Sequence, residues 1–486
     1  MTIAVLLAVL LTAMPLAAQV SDDGTVLDDE FGFGMVEIEG DSSIGLEPIE
    51  PIDAVANVWM LSVACLALLT ALPGAALLVA STAPLIDMPR VLAVLGAVAA
   101  SLVLVWVGYG YSLAYGGNAD GENFSPWIGN AQYVLLADAR PRFDETSGET
   151  RYPTRDGVAT LTHATYRGML FVLAGVLLST AVVERFSPLA VVLFTVAWAS
   201  VVGCPLLHWT WNSGVLAHLG GHARIAGVST GVIDSAGGLP VFFAVGISGL
   251  VAMFVTRGRC NATASPAIGN QWGRSFVAFA GTWLFFVGMC GIVGRSNTAG
   301  HGQAAVAVMN TILAAAAGCL GWCAVESVRQ TLHRAAPPRS GRFLGGTPAG
   351  AVVAGIAAIA SGAVYLDVPW AMATALAAGL ITAIVGSRAA AGRDPWNAAA
   401  LLAALAIGGL VGVVGTGVFA TRNVAGTAAA TGRLGVLENG PLLSQHLAAL
   451  IVVAIYAGIA SAVLAKFAQL LSRPPAPPTD GSVDPM

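Results

Sequence analysis

The chain alternates long apolar runs with short polar gaps. Eleven runs, at 55–80, 91–115, 161–183, 187–209, 233–256, 273–294, 301–325, 346–364, 367–387, 396–420 and 443–471, approach or exceed the roughly 20 residues that cross a bilayer as a helix. They are continuous rather than alternating, which excludes a barrel of ten-residue membrane strands. The gaps carry turn residues and charges: Pro89-Arg90, the long 116–160 loop, Glu184-Arg185, Arg257-Gly-Arg259, and the stretch from Arg329 to Arg342. The pattern predicts an all-α membrane protein with eleven transmembrane helices and its two ends on opposite sides.

Composition narrows the class further. Of 486 residues, 56% are hydrophobic and only 10% charged, against about 25% charged in soluble domains. Too few charges remain to cover a water-soluble fold, which excludes an ordinary soluble enzyme, a disordered chain and a nucleic-acid binder. The 58 glycines suit helices that pack in lipid through small residues. Residues 1–18 read as a signal peptide cleaved near Ala18, though without a basic start. Residues 19–54 form an acidic extracytoplasmic arm: eleven Asp or Glu lie between Asp22 and Asp53, and no Lys or Arg precedes Arg90. The membrane domain spans 55–471, and the Pro-rich 472–486 tail is expected to be disordered. With the N-terminus outside, 13 of the 22 Lys and Arg fall on the inner side. Four of these (Arg329, Arg334, Arg339 and Arg342) lie in the short 326–345 loop. The positive-inside rule therefore favours N-out, C-in, in the cell (inner) membrane. The six cysteines sit in or beside apolar runs without a CxxC pair and read as small buried hydrophobes. Asp234 opens the fifth run and Asp394 the tenth, a hint of two inverted five-helix repeats with a path at their interface. No nucleophile–base pair, metal cluster or phosphate loop falls within a run, so no enzyme activity, metal or cofactor is expected. Gly345-Gly-Thr-Pro-Ala-Gly350 reads as a turn or packing stretch.

Several motifs, in order along 55–470, resemble the ammonium transporter (Amt/Mep/Rh) family. They are Val58-Trp-Met-Leu-Ser-Val with Leu72-Pro-Gly74; Gly108-Tyr-Gly-Tyr-Ser-Leu-Ala-Tyr115-Gly; and Thr162-His-Ala-Thr-Tyr166-Arg leading to Val183-Glu-Arg-Phe186. Further on are Pro205-Leu-Leu-His208-Trp-Thr-Trp211-Asn-Ser-Gly214, Asp234-Ser-Ala-Gly-Gly238, the run Ala304 to Trp322, and Gly415-Thr-Gly-Val-Phe-Ala420. The resemblance implies two inverted five-helix halves plus a final helix, and a homotrimer with one narrow pore per subunit. It places Trp211 and Ser296 at an outer mouth that holds ammonium. An aromatic face attracts a cation and a hydroxyl accepts its hydrogen bond. Asp234 stands at the family's characteristic aspartate, where it can cap the fifth helix or contribute to the cation site.

The departures bear on mechanism. The family lines its pore with two histidines; the matching positions here hold Phe242 and, by either of two counts, Leu402 or Leu405. The run 396–420 contains no His. The paired Phe of the family gate fall on Leu170 and Ile292, with Phe171 adjacent. A bare ammonium at mid-bilayer costs several kcal/mol without polar partners, so this lining favours a neutral species. Arg295 occupies a position the resemblance gives to Gly, beside Ser296, where a guanidinium repels ammonium; Arg167 adds to it unless both side chains turn to outer water or to the acidic arm. The expected function is transport of ammonium/ammonia, as the neutral species. The alternatives are a non-conducting sensor or accessory subunit and a channel for another small neutral molecule. The 326–345 loop and the tail are the expected contacts for a cytoplasmic regulatory protein.

Overall fold

The computed structural model describes residues 52–83, 88–117, 125–145, 148–219, 224–225, 228–229, 231–256, 271–295, 301–332, 348–389, 398–425 and 434–472. The expected signal peptide, the acidic arm up to residue 51, the tail beyond Ser472, Asp394 and Ser296 lie outside these residues. The main helices are α1 (Ala54–Ser81), α2 (Met88–Tyr115), α3 (Thr160–Ala181), α4 (Pro188–Trp211), α5 (Gly238–Val255) and α6 (Ser275–Val293). They continue with α7 (Gly302–Leu332), α8 (Pro348–Ile359), α9 (Val368–Val385), α10 (Ala398–Phe419) and α11 (Leu442–Leu471). Ten are long and apolar enough to span a membrane; α8 is the short one. Two small hairpins, β1 (Arg142–Asp144) with β2 (Glu149–Arg151) and β3 (Thr154–Arg155) with β4 (Val158–Ala159), fill part of the α2–α3 connection.

The run at 346–364 predicts a longer helix than α8. Its 12 residues reach only about 18 Å at 1.5 Å per residue. Residues 360–366 stay apolar, so hydropathy carries no sign of the break. The freed carbonyls are satisfied inside the protein. Ala360 O accepts Ala236 N at 2.8 Å and Ser235 Oγ at 2.9 Å, and Ser361 O accepts Ser235 N at 3.0 Å. Asn310 Nδ2 donates to Ala363 O at 3.0 Å and to Leu366 O at 2.9 Å. Non-helical backbone survives at membrane depth where protein buries it.

Successive helices alternate in direction. α1 packs on α6, and α5 packs on α10. The first helix of each five-helix half thus meets its counterpart, as does the last, which is the pairing a two-fold between inverted halves requires. α11 lies across α4, α5 and α10. Large apolar side chains such as Phe276, Leu320 and Leu470 are exposed on the outside, where lipid is the natural solvent. The cysteines follow this logic and correct the sequence reading: of the five described, Cys204 is buried, while Cys65 and Cys323 are exposed. Lipid suits a small apolar side chain as well as a core does.

The face where α1, α3, α5, α7, α9 and α11 begin is tied together by its loops. Asp53 Oδ1 caps α1 by accepting Val55 N at 2.9 Å and Ala56 N at 3.0 Å, and Asp53 N donates to Gly157 O at 2.9 Å. At least this acid of the arm is structural. Between α10 and α11, Glu438 accepts Thr421 Oγ1 at 2.7 Å, Arg422 N at 2.9 Å and Leu434 N at 3.3 Å. Burial pushes the Glu438 carboxyl up, but these donors and the Arg422 charge outweigh it and hold it below its ordinary value. A depressed carboxyl stabilises the fold above its unfolded pKa, and that contribution is lost as pH falls through the folded pKa. Glu438→Gln should therefore cost about 1–2 kcal/mol at neutral pH. The gap to wild type should narrow as pH falls below the ordinary glutamate value, as thermal unfolding across pH will show.

Candidate transport site

Elements from both halves converge at this face. Trp211 ends α4, and its Nε1 donates to Asp234 O at 2.7 Å, which pins the indole to the turn before α5. Asp234 uses both carboxyl oxygens on that turn: Oδ1 accepts Gly237 N at 2.5 Å and Oδ2 accepts Leu239 N at 2.7 Å. The turn needs Gly237, whose φ of +95° is left-handed and whose Cβ would lie 2.6 Å from Val241. Burial pushes the Asp234 carboxyl up to about 7, against the pull of backbone donors. A carboxyl occupied by its own backbone offers a cation little. The structure gives Asp234 the capping role.

Arg167, two turns into α3, does not turn to open water. It is 6% exposed and lies with its guanidinium carbon 4.3 Å from the Trp211 ring centroid, 5.6 Å from that of Tyr166 and 5.7 Å from that of Tyr115. Its Nε donates to His163 Nε2 at 3.4 Å, one turn back. Nε2 therefore accepts, and the ring proton sits on Nδ1, which faces Tyr111 OH at 3.0 Å. Arg295, just past α6, is 7% exposed and stacks 4.9 Å from the Tyr166 centroid, while Tyr166 OH donates to Ile292 O at 2.9 Å. Burial and the Arg167 charge pull the Arg295 guanidinium down to about 10, so it stays cationic at neutral pH. Arg155, on β3, completes the cluster: it donates to Tyr115 O at 2.8 Å and to Asn212 Oδ1, and lies 5.3 Å from the Tyr115 centroid. All these separations are within cation–π range. The alternative in which Arg167 and Arg295 turn to outer water is corrected: the aromatic wall draws both inward. The indole expected to hold ammonium already faces a cation of the protein itself. Sequence reasoning flagged Arg167 and Arg295, held Tyr115, His163 and Tyr166 only as parts of motifs, and gave Arg155 no role at the mouth. The one local signal was the i,i+4 pair His163 and Arg167 on one helix face.

Below the mouth, Leu170 and Ile292 are buried. Phe171 does not substitute for a gate ring; it packs on Trp106 at 4.9 Å between centroids, on the α2 side. Phe242 is fully buried and meets Phe285 of α6 edge-on at 6.0 Å. Leu402 fills the notch at Gly249, its Cδ2 2.5 Å from where a Cβ would sit, and Leu405 is fully buried one turn away. A histidine reaches α10 from α11: His446 Nδ1 pairs with Val413 O at 2.7 Å, and Nε2 accepts Ile233 N at 3.1 Å. Val413 lies eight residues from Leu405, about 12 Å along the helix. His208 is equally committed, to Ala114 O at 3.1 Å and Ser125 O at 2.8 Å.

Among the described residues, ten spanning helices and the short α8, paired as two inverted halves with a buried aromatic and ionic mouth where the halves meet, define a membrane transporter or channel fold. The family model for the Ammonium Transporter Family matches residues 58–473, and the chain belongs to that family. An ammonium transporter of Aquifex aeolicus is 28% identical over 382 residues, covering 77% of this chain and 79% of that one. Ammonium transporter Amt1 of Archaeoglobus fulgidus is 27% identical over 370 residues, covering 75% and 80%. Among solved structures, Candida albicans Mep2 superposes with a TM-score of 0.68 at 23% identity, covering 85% of this chain and 84% of that one. A structure described as a Sensor Amt Protein gives 0.65 at 17% identity, covering 86% and 93%. These structural likenesses are of fold.

Proposed function

We propose that this chain takes ammonia-class cargo without admitting the ammonium cation: flux through each subunit is of neutral NH3 and carries no current. The observation that supports this is Arg167 stacked 4.3 Å from Trp211 with Arg295 on the neighbouring ring. An incoming ammonium must share the aromatic wall with two buried positive charges. Deeper in, Phe242, Leu402 and Leu405 offer neither a hydrogen bond nor a proton. Ser296 keeps the hydroxyl role that the resemblance gives it.

A second reading, a non-conducting sensor or accessory subunit, is favoured by how closely α5 and α10 approach. Ala406 N lies 2.4 Å from where a Cβ of Gly246 would stand, and Leu402 fills the Gly249 notch. Such packing leaves little width for a path. Rapid mixing of proteoliposomes that carry an internal pH dye separates the readings. NH3 entry should alkalinise the lumen faster than in protein-free vesicles; equal rates would overturn ammonia transport and favour the non-conducting reading. We further read the assembly as a homotrimer in the cell (inner) membrane, with the N-terminus outside and the C-terminus inside. The excess of Arg in 326–345 supports that orientation, and the same loop and the tail suit a cytoplasmic regulatory protein.

A further inference from the structure

We propose that the mouth is a binding site for a small monovalent anion, held between Arg167 and Arg295. Among the described residues, four buried polar atoms of this cluster have no hydrogen-bond partner: Arg167 Nη1, Arg295 Nε, Arg295 Nη2 and Tyr115 OH. All four can donate, and the three nitrogens can only donate. They belong to side chains that share one aromatic wall, with Arg167 over Tyr115 and Tyr166 and Arg295 over Tyr166. Both arginines are more than nine-tenths buried, and Tyr115 is fully buried.

Among the described residues, no carboxylate supplies the missing acceptor. Asp234 spends its two oxygens on Gly237 N and Leu239 N. Asp156 is half exposed and reaches only His163 Nε2, at 4.0 Å. Neither forms an ion pair with Arg167 or Arg295 among the described residues. Arg155, Arg167 and Arg295 outnumber Asp156 and Asp234 and leave at least one positive charge in excess. A water molecule accepts two hydrogen bonds but adds no charge. A halide or a small carboxylate satisfies both the donors and the excess charge, because guanidinium forks and converging N–H groups select such acceptors. The carboxylate has two sources, a free ion or a side chain of the acid-rich stretch from Asp22 to Glu50. The site stands whether or not the pore conducts.

The test is the thermal midpoint of purified full-length protein titrated with sodium chloride, bromide or formate, with a bulky sulfonate salt holding ionic strength constant. A ligand that binds only the folded state raises the midpoint along a saturation curve. A free anion predicts a saturable rise of several degrees in the wild type. A tethered carboxylate predicts no rise in the wild type and the same rise once the acids from Asp22 to Glu50 are changed to Asn and Gln. In either case Arg295→Gln and Arg167→Gln should raise the half-saturating concentration at least tenfold. Tyr115→Phe, which keeps the ring and removes one orphan donor, should raise it severalfold. Absence of a saturable rise in both the wild type and the neutralised chain would overturn the proposal. So would a rise that Tyr115→Phe and both Gln variants leave unchanged.

Discussion

In the double variant Arg167→Ala/Arg295→Gly, ammonium should bind the mouth at least a hundredfold more tightly than in the wild type. The estimate follows from charge alone. A unit charge about 5 Å away at an effective dielectric of about 20 costs roughly 3 kcal/mol, or about a hundredfold in affinity. Two guanidiniums lie within 6 Å of the rings that ammonium would use. Removing both exposes the Trp211 face while its Nε1 anchor to Asp234 O stays in place, so the aromatic site should survive the substitution. The check is the ammonium concentration that half-saturates the rise in thermal midpoint. The same background gives meaning to the pore: Phe242→His with Leu402→His or Leu405→His should raise current there and not in the wild type, because the mouth precedes the lining. Equal ammonium responses in wild type and double variant would remove the guanidiniums from the account.

The largest effect on stability should come from Gly379→Val. A Cβ at Gly379 of α9 would sit 2.2 Å from Gly318 O and 2.8 Å from Gly318 Cα on α7. Gly318 in turn would meet Ala351 O of α8 at 2.5 Å, and Gly355 of α8 would meet Ala314 O at 2.4 Å. Three helices thus touch backbone to backbone, the small-residue packing that replaces hydrophobic collapse in lipid. Overpacking against side chains costs about 1–3 kcal/mol. Here the obstacle is main chain, which has no rotamer to escape to, so about 3 kcal/mol or more is expected, with loss of a monodisperse species on size exclusion. Gly96 of α2 has nothing within 4 Å, and Gly96→Ala should be neutral or stabilising by up to about 1 kcal/mol. A mild Gly379→Val would contradict the packing.

Hydropathy located every long helix because each holds an apolar run long enough to cross, but it ended α7 too early: the helix runs on through Glu326 and Arg329 to Leu332, inside the stretch read as the 326–345 loop. It failed at α8, where the residues after Ile359 are as apolar as those before. What ends that helix is hydrogen bonding from Ser235 and Asn310, 125 and 53 residues away along the chain. The loss of pore imidazoles was legible directly, since Phe242, Leu402 and Leu405 are simply the residues present. The direction of Arg167 was not. The long arginine side chain has many rotamers, and the one adopted is selected by Trp211, which comes from another helix, and by His163 one turn back. Which of the several charges near the mouth turn inward is a tertiary fact, and the excess of donors over acceptors appears only when those side chains are assembled.

The central claim is that the ammonium cation does not pass. Proteoliposomes of the wild-type protein adsorbed on a capacitive electrode, and switched from a sodium to an ammonium solution, measure it directly. The account predicts a charge displacement no larger than that of protein-free vesicles at every ammonium concentration. A current that grows with ammonium and saturates would contradict it.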